Sequence, residues 1–261
     1  MKLSISNIAW KQSDEKIVLQ YLVQNGYKAI EIAPTKLVGE NPYEKVKKGR
    51  AYADALFSNY GLVISSMQSI WYGKLENMFT SDEDRLKLLN YSKDAIKFAE
   101  AIGCKNLVFG CPKNRIINND NDINKAVGFF RELGNYAAKH NTVFALEANP
   151  KIYGTNFMNT TNEVIDICRK VGSVGVGVNF DFGTLIQNEE TIDICIDNIN
   201  IINHIHISEP YLELIKARDV HKEFISILKS KGYNKYISIE MKEQDLKNVI
   251  KSIDYLREVS E

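Results

Sequence analysis

A chain of 261 residues with 44% hydrophobic residues can bury a sizeable core, and α/β barrels of this length form as one domain. Its 33 Lys and Arg balance 33 Asp and Glu, so no global field gathers a polyanion on the surface and no nucleic-acid partner is expected. The start, Met1-Lys2-Leu3-Ser4-Ile5-Ser6-Asn7, has no apolar block ending in a small-residue cleavage site, and no stretch approaches a membrane span. A cytoplasmic protein without a membrane partner is the expectation.

In chain order, short β-branched runs that end in polar or Gly/Pro residues form a series: LSISNIAW, AIEIAP, LVISSMQS, NLVFGCP, VFALEANP, VGVNFDFG, HIHISEP and YISIEM. Segments of helical period lie between them. One spans Asp82 to Ile102, with Leu86, Leu89, Ile96, Phe98 and Ala99 near one stripe and Gly103 as a stop. Another opens on a Thr160/Glu163 capping box, runs toward Cys168 and closes at Gly172. Cys104, Cys111, Cys168 and Cys195 lack the close pairing of a zinc knuckle or redox motif and read as reduced core or near-core thiols. No linker, low-complexity run or charge block divides the chain, so residues 1–261 are expected to form a single domain. Eight strands alternating with helices predict an α/β fold, a single closed (β/α)8 TIM barrel. The rival, a doubly wound open sheet, requires a Gly-rich phosphate turn after the first strand, and SNIAW holds no glycine.

In a barrel, chemistry gathers at the carboxyl ends of the strands, where the loops converge on one mouth. Those ends read Trp10, Glu31, Gln68, Gly110, Glu147, Asp181, His206 and Glu240. Strand side chains alternate, so Ala145 shares a face with Glu147, Asn179 with Asp181, His204 with His206, and Ser238 with Glu240. The large apolar residues of these four strands can then face the helices while the ionisable ones point inward. Three carboxylates and one imidazole in a confined mouth repel one another and lose hydration unless a cation joins them. Oxygen-rich ligation with one imidazole suits one divalent metal ion, Mn²⁺, Mg²⁺ or Co²⁺, and tolerates Zn²⁺. His204, one step deeper than His206, reads as its structural neighbour rather than a ligand.

The stretches ALEANP, NFDFGT, HIHISEP and ISIEM resemble the metal-binding strand ends of the xylose isomerase-like TIM-barrel superfamily, the group that includes sugar phosphate isomerases and epimerases. Positions 147, 181, 206 and 240, spaced by 34, 25 and 34 residues, fit its epimerase-like branch, and ISSMQSIWYG and NLVFGCPKNR extend the likeness across the chain. The resemblance implies that Glu147, Asp181, His206 and Glu240 hold a single metal and that Glu147 and Glu240 are the catalytic acid/base pair. It further implies a sugar, sugar phosphate or keto-polyol substrate, isomerised or epimerised by proton transfer through an enediolate, and a small homo-oligomer, dimer or tetramer. The chain also departs from the ketose epimerases: Thr184 stands where they carry a further histidine, and Tyr153 and Leu212 fall near their extra glutamate and arginine.

Around this centre, Lys113 and Arg115 on the loop after the fourth strand are candidates to grip a phosphate or carboxylate. Glu31, Gln68 and Asn149 are candidates for hydrogen bonds to substrate hydroxyls, Trp10 and Trp71 for an apolar wall against a sugar ring, and Glu209 for a contact from the loop after HISEP. Three alternatives compete with the isomerase: a keto-inositol or keto-sugar dehydratase that starts from the same proton removal, an apurinic endonuclease-like nuclease, and a non-catalytic carbohydrate-binding barrel. The nuclease needs more histidine ligands than His140, His204, His206 and His221 supply, and a basic stripe that this neutral chain lacks. The inert barrel has no need to collect like charges in its mouth.

Overall fold

The computed structural model describes residues 1–261. Eight parallel strands form the inner layer: β1 (Lys2–Ile5), β2 (Ala29–Ile32), β3 (Val63–Met67), β4 (Asn106–Phe109), β5 (Val143–Glu147), β6 (Val176–Asp181), β7 (Ile202–Ile207) and β8 (Tyr236–Ile239). Each pairs with its sequence neighbour, β8 returns to β1, and the seam between β1 and β2 is closed by a single bridge, Ser6 to Glu31. The result is the (β/α)8 TIM barrel that the strand count predicts. No helix is long and apolar enough to cross a membrane.

The alternation works as read. Phe109 of β4 and Phe144 of β5 both pack on Phe130 of the helix Asn121–Lys139, while Phe180 of β6 packs on Phe224 of the helix Asp219–Ser230. With aromatic residues turned outward, the interior gathers polar groups, several of which pair with one another. Ser4 and Ser65 hydroxyls meet at 2.8 Å, Asn106 Nδ2 donates to Ser66 Oγ, and Gln68 Nε2 donates to Ser6 Oγ.

Local signals place the helix ends well. The Asp82 helix ends at Ala101, with Gly103 at φ 73° beyond it. Its buried stripe runs through Leu88, Ser92, Ala95 and Ala99, and Leu86, expected on that stripe, is 55% exposed. The face is set by tertiary contact, because Trp71 Nε1 donates to the buried Ser92 hydroxyl. At the other predicted cap, Thr160 Oγ1 accepts from Glu163 N, yet the Glu163 carboxylate accepts from Asn159 N, one residue before the cap.

Candidate metal centre and active site

Glu147 ends β5, Asp181 ends β6, His206 sits near the end of β7, and Glu240 follows β8, so four neighbouring strands deliver their last inward side chains to one point. One ligand atom from each lies within 4.8 Å of the others. His206 Nδ1 is 3.1 Å from Glu147 Oε1 and 3.1 Å from Glu240 Oε2. Asp181 is held from both sides. One oxygen caps the helix Phe182–Gln187 through Thr184 N at 2.7 Å, and the other accepts from the Ser208 hydroxyl. Above the cluster opens a cavity of about 190 Å³, bordered by Gln68, Asn149, Tyr153 and Leu212 together with Glu147, Asp181 and Glu240.

The electrostatics show what this arrangement asks for. Burial, followed by the charge of Glu147, raises the pKa of Asp181 above the usual carboxylate range, and burial raises that of Glu240 against the pull of His206. Burial alone would depress His206, but the charges of Glu240 and Glu31 lift it well above the ordinary imidazole value. With protein groups alone, the centre must therefore retain protons to relieve crowding. A divalent cation removes that conflict, and three carboxylates with one imidazole are a donor set such a cation accepts. Asn179, beside the cluster, keeps a buried Oδ1 with no hydrogen-bond partner. The residues present thus fit a divalent metal.

Other residues singled out in the sequence are distributed differently. Gln68 and Asn149 border the cavity; so does Glu209, although its carboxylate is engaged by Arg218 at 2.8 and 2.5 Å. Lys113 is exposed on the loop after β4 and does not border the cavity. Arg115, expected to grip an anion, is 0% exposed: its guanidinium donates to the Glu147 carbonyl at 2.9 Å, to Asn149 Oδ1 and to the Met158 carbonyl. It braces the loop that follows β5 and has no face free for substrate. Glu31, expected to meet substrate hydroxyls, is also 0% exposed, beneath His206 with its Oε2 3.0 Å from Nε2. Trp10 and Trp71 belong to the core rather than to a sugar-binding wall, Trp71 packing edge-on against Phe109 and Phe129.

Two features escaped the sequence reading. Asn179 joins the centre, its Nδ2 2.6 Å from Glu147 Oε1 and 3.1 Å from His206 Nδ1; its place on the same face as Asp181, one step deeper, was the available signal. Three other cavity residues, Ser69, Cys111 and Leu212, adopt left-handed backbone conformations (φ 53°, 48° and 53°) without being glycine. Such conformations persist where surrounding structure enforces them, and they gather at functional mouths. Nothing in the residue types announced them.

Fold and centre together define an α/β barrel whose mouth gathers a candidate set of metal ligands, and the sequence agrees at the level of family. A profile described as xylose isomerase-like TIM barrel matches residues 19–259, and the chain belongs to that family. No curated protein matches it. Among solved structures, its fold is similar to D-psicose 3-epimerase from Clostridium cellulolyticum H10, solved with D-tagatose, at 18% identity over 100% of both chains and a TM-score of 0.82. It is similar to 3-keto-D-glucoside 4-epimerase from E. coli at 19% identity over 99% of this chain and 98% of that one, TM-score 0.76. The IOLI protein with a binding zinc atom aligns at 15% identity over 100% and 96% of the two chains, TM-score 0.71. At these identities the likeness is one of fold.

Proposed function

We propose that this protein is a divalent-metal-dependent epimerase or isomerase of a keto sugar, with Glu147, Asp181, His206 and Glu240 holding the metal and Glu147 and Glu240 moving the proton. The observation that carries the reading is the convergence of those four ligand atoms within 4.8 Å at the carboxyl end of the barrel, directly under the cavity. The epimerases that share the fold, and the relative solved with zinc, support it. A cation held there supplies electrostatic stabilisation for charge developing on a substrate carbonyl oxygen. Glu147 and Glu240, arriving from β5 and from beyond β8, reach a bound carbon from different sides. One takes the carbon-bound proton and the other returns it, to the opposite face for epimerisation or to the adjacent carbon for isomerisation. Gln68 and Asn149 orient the hydroxyls. With Arg115 committed to the protein's own carbonyls, no guanidinium borders the cavity, which favours an unphosphorylated substrate.

Elemental analysis of the purified protein, paired with His206→Ala, is the first test, followed by solvent deuterium uptake into candidate ketoses. About one divalent ion per chain, lost in the variant, with exchange abolished by Glu147→Gln or Glu240→Gln, is the expected result. A protein that takes up no metal on reconstitution would leave only a carbohydrate-binding barrel.

A further inference from the structure

We infer that Glu31 is the positioning residue of the centre: it accepts the Nε2 proton of His206 and so fixes that imidazole with Nδ1 turned toward the carboxylates. The inference rests on the reading of His206 as a metal ligand. The two residues come from β2 and β7 and are 175 positions apart, with their Nε2 and Oε2 atoms 3.0 Å apart and both side chains fully buried. Substrate cannot reach Glu31, so its carboxylate acts through the ring.

Which nitrogen faces Glu31 with a proton follows from Glu31 itself. Its ionised carboxylate only accepts hydrogen bonds and stands 3.0 Å from Nε2, so Nε2 presents its N–H there. Nδ1, 3.1 Å from Glu147 Oε1, Glu240 Oε2 and Asn179 Nδ2, is turned to the centre, where it can donate to a carboxylate and where a cation, when held, would take its lone pair. A metal ligand needs that same lone pair, and hydrogen bonding at the far nitrogen is what holds a ligating imidazole in one tautomer and one rotation. His204 does not share the task on equal terms. Its Nε2 is 3.2 Å from Glu31 Oε2 but is not aligned for a hydrogen bond, so His206 is the only aligned donor to this carboxylate. Turning the ring over would set carbon atoms against a buried carboxylate and leave it unpaired. Glu31, His204 and His206 also converge closely enough to suggest a second cation, but a proton shared along Nε2–H···Oε2 accounts for the contact without one.

The test uses protein labelled with ¹⁵N at histidine, read by long-range ¹H–¹⁵N correlation with and without Zn²⁺, alongside Zn²⁺ titration. Wild-type His206 is expected to keep a slowly exchanging, downfield Nε2 proton in both states. Glu31→Gln, which preserves volume but removes the anionic acceptor, is expected to speed exchange of that proton and weaken Zn²⁺ binding 10- to 100-fold. If Glu31 merely fills space, the glutamine variant retains wild-type affinity and exchange, and the inference falls. It falls also if wild-type His206 carries no Nε2 proton or if two ions bind per chain, results that need no variant to fold. A protein that binds no Zn²⁺ but keeps the protected proton overturns the proposed function alone, leaving the Glu31–His206 geometry in place.

Discussion

The backbone of Gly110 lies against the carboxylate of Glu147: a Cβ at position 110 would stand 2.8 Å from Glu147 Oε2 and 3.3 Å from Asn149 Oδ1. Gly110 follows β4 and borders the cavity, so its missing side chain is the space the Glu147 carboxylate occupies. Gly110→Ala is expected to push that carboxylate aside and lower turnover roughly 100-fold, the usual scale for an ångström of misplacement. Because the displaced atoms are the ends of side chains, the melting temperature should hardly change. Deuterium exchange kinetics and thermal melts of the same preparation check both halves.

Arg115 should behave as a structural brace. Arg115→Ala removes donors to the Glu147 and Met158 carbonyls and a guanidinium stacked 5.6 Å from the centre of the Phe109 ring. A loss of about 3 kcal/mol in urea unfolding is expected. Lysine, lacking the planar fork, should restore only part of it. An unchanged unfolding midpoint, with weaker binding of an anionic sugar, would return Arg115 to the substrate.

Gly175 tests packing far from the mouth. A Cβ there would sit 2.0 Å from the Gly134 carbonyl oxygen and 2.8 Å from Ala138 N, both backbone atoms of the helix Asn121–Lys139. Neither can rotate away, so Gly175→Ala must push that helix off the barrel. Destabilisation of about 3 kcal/mol with metal content per folded chain unchanged is expected; chemical denaturation and elemental analysis measure the two.

His221 makes stability depend on pH. The ring is fully buried against Phe182, its Nδ1 meets Tyr255 Oη at 2.8 Å, and its Nε2 has no partner. Burial lowers its pKa from 6.5 to about 4. The unfolded chain therefore takes up the proton first as pH falls, and the stabilisation from the neutral folded ring, intact above pH 6.5, is lost between 6.5 and 4. The change amounts to about 3 kcal/mol at most. Urea midpoints compared between wild type and His221→Gln across that range should converge toward the acid end; a constant difference would remove His221 as the source.

Much of this was legible along the chain because it is periodic. Alternation in VFALE, VGVNFD and HIHI is a property of extended backbone, and it assigned Glu147, Asp181 and His206 to the inner face before any contact was known. Gly103 and Gly172 likewise marked helix ends through their own backbone freedom. The destinations of Glu31 and Arg115 were not legible in this way. Each is a charged residue at or just beyond a strand end, and one-dimensional pattern treats both as free to meet substrate. The partner of Glu31 is 175 residues away on β7, and that of Arg115 is a backbone carbonyl on β5. The residue sequence by itself determined the barrel and the inward set of ionisable groups, because both follow from local geometry repeated eight times. Only the closed barrel decided which of those groups open on the cavity and which lie beneath it, because a buried charge takes whatever partner the returning chain brings within hydrogen-bond reach.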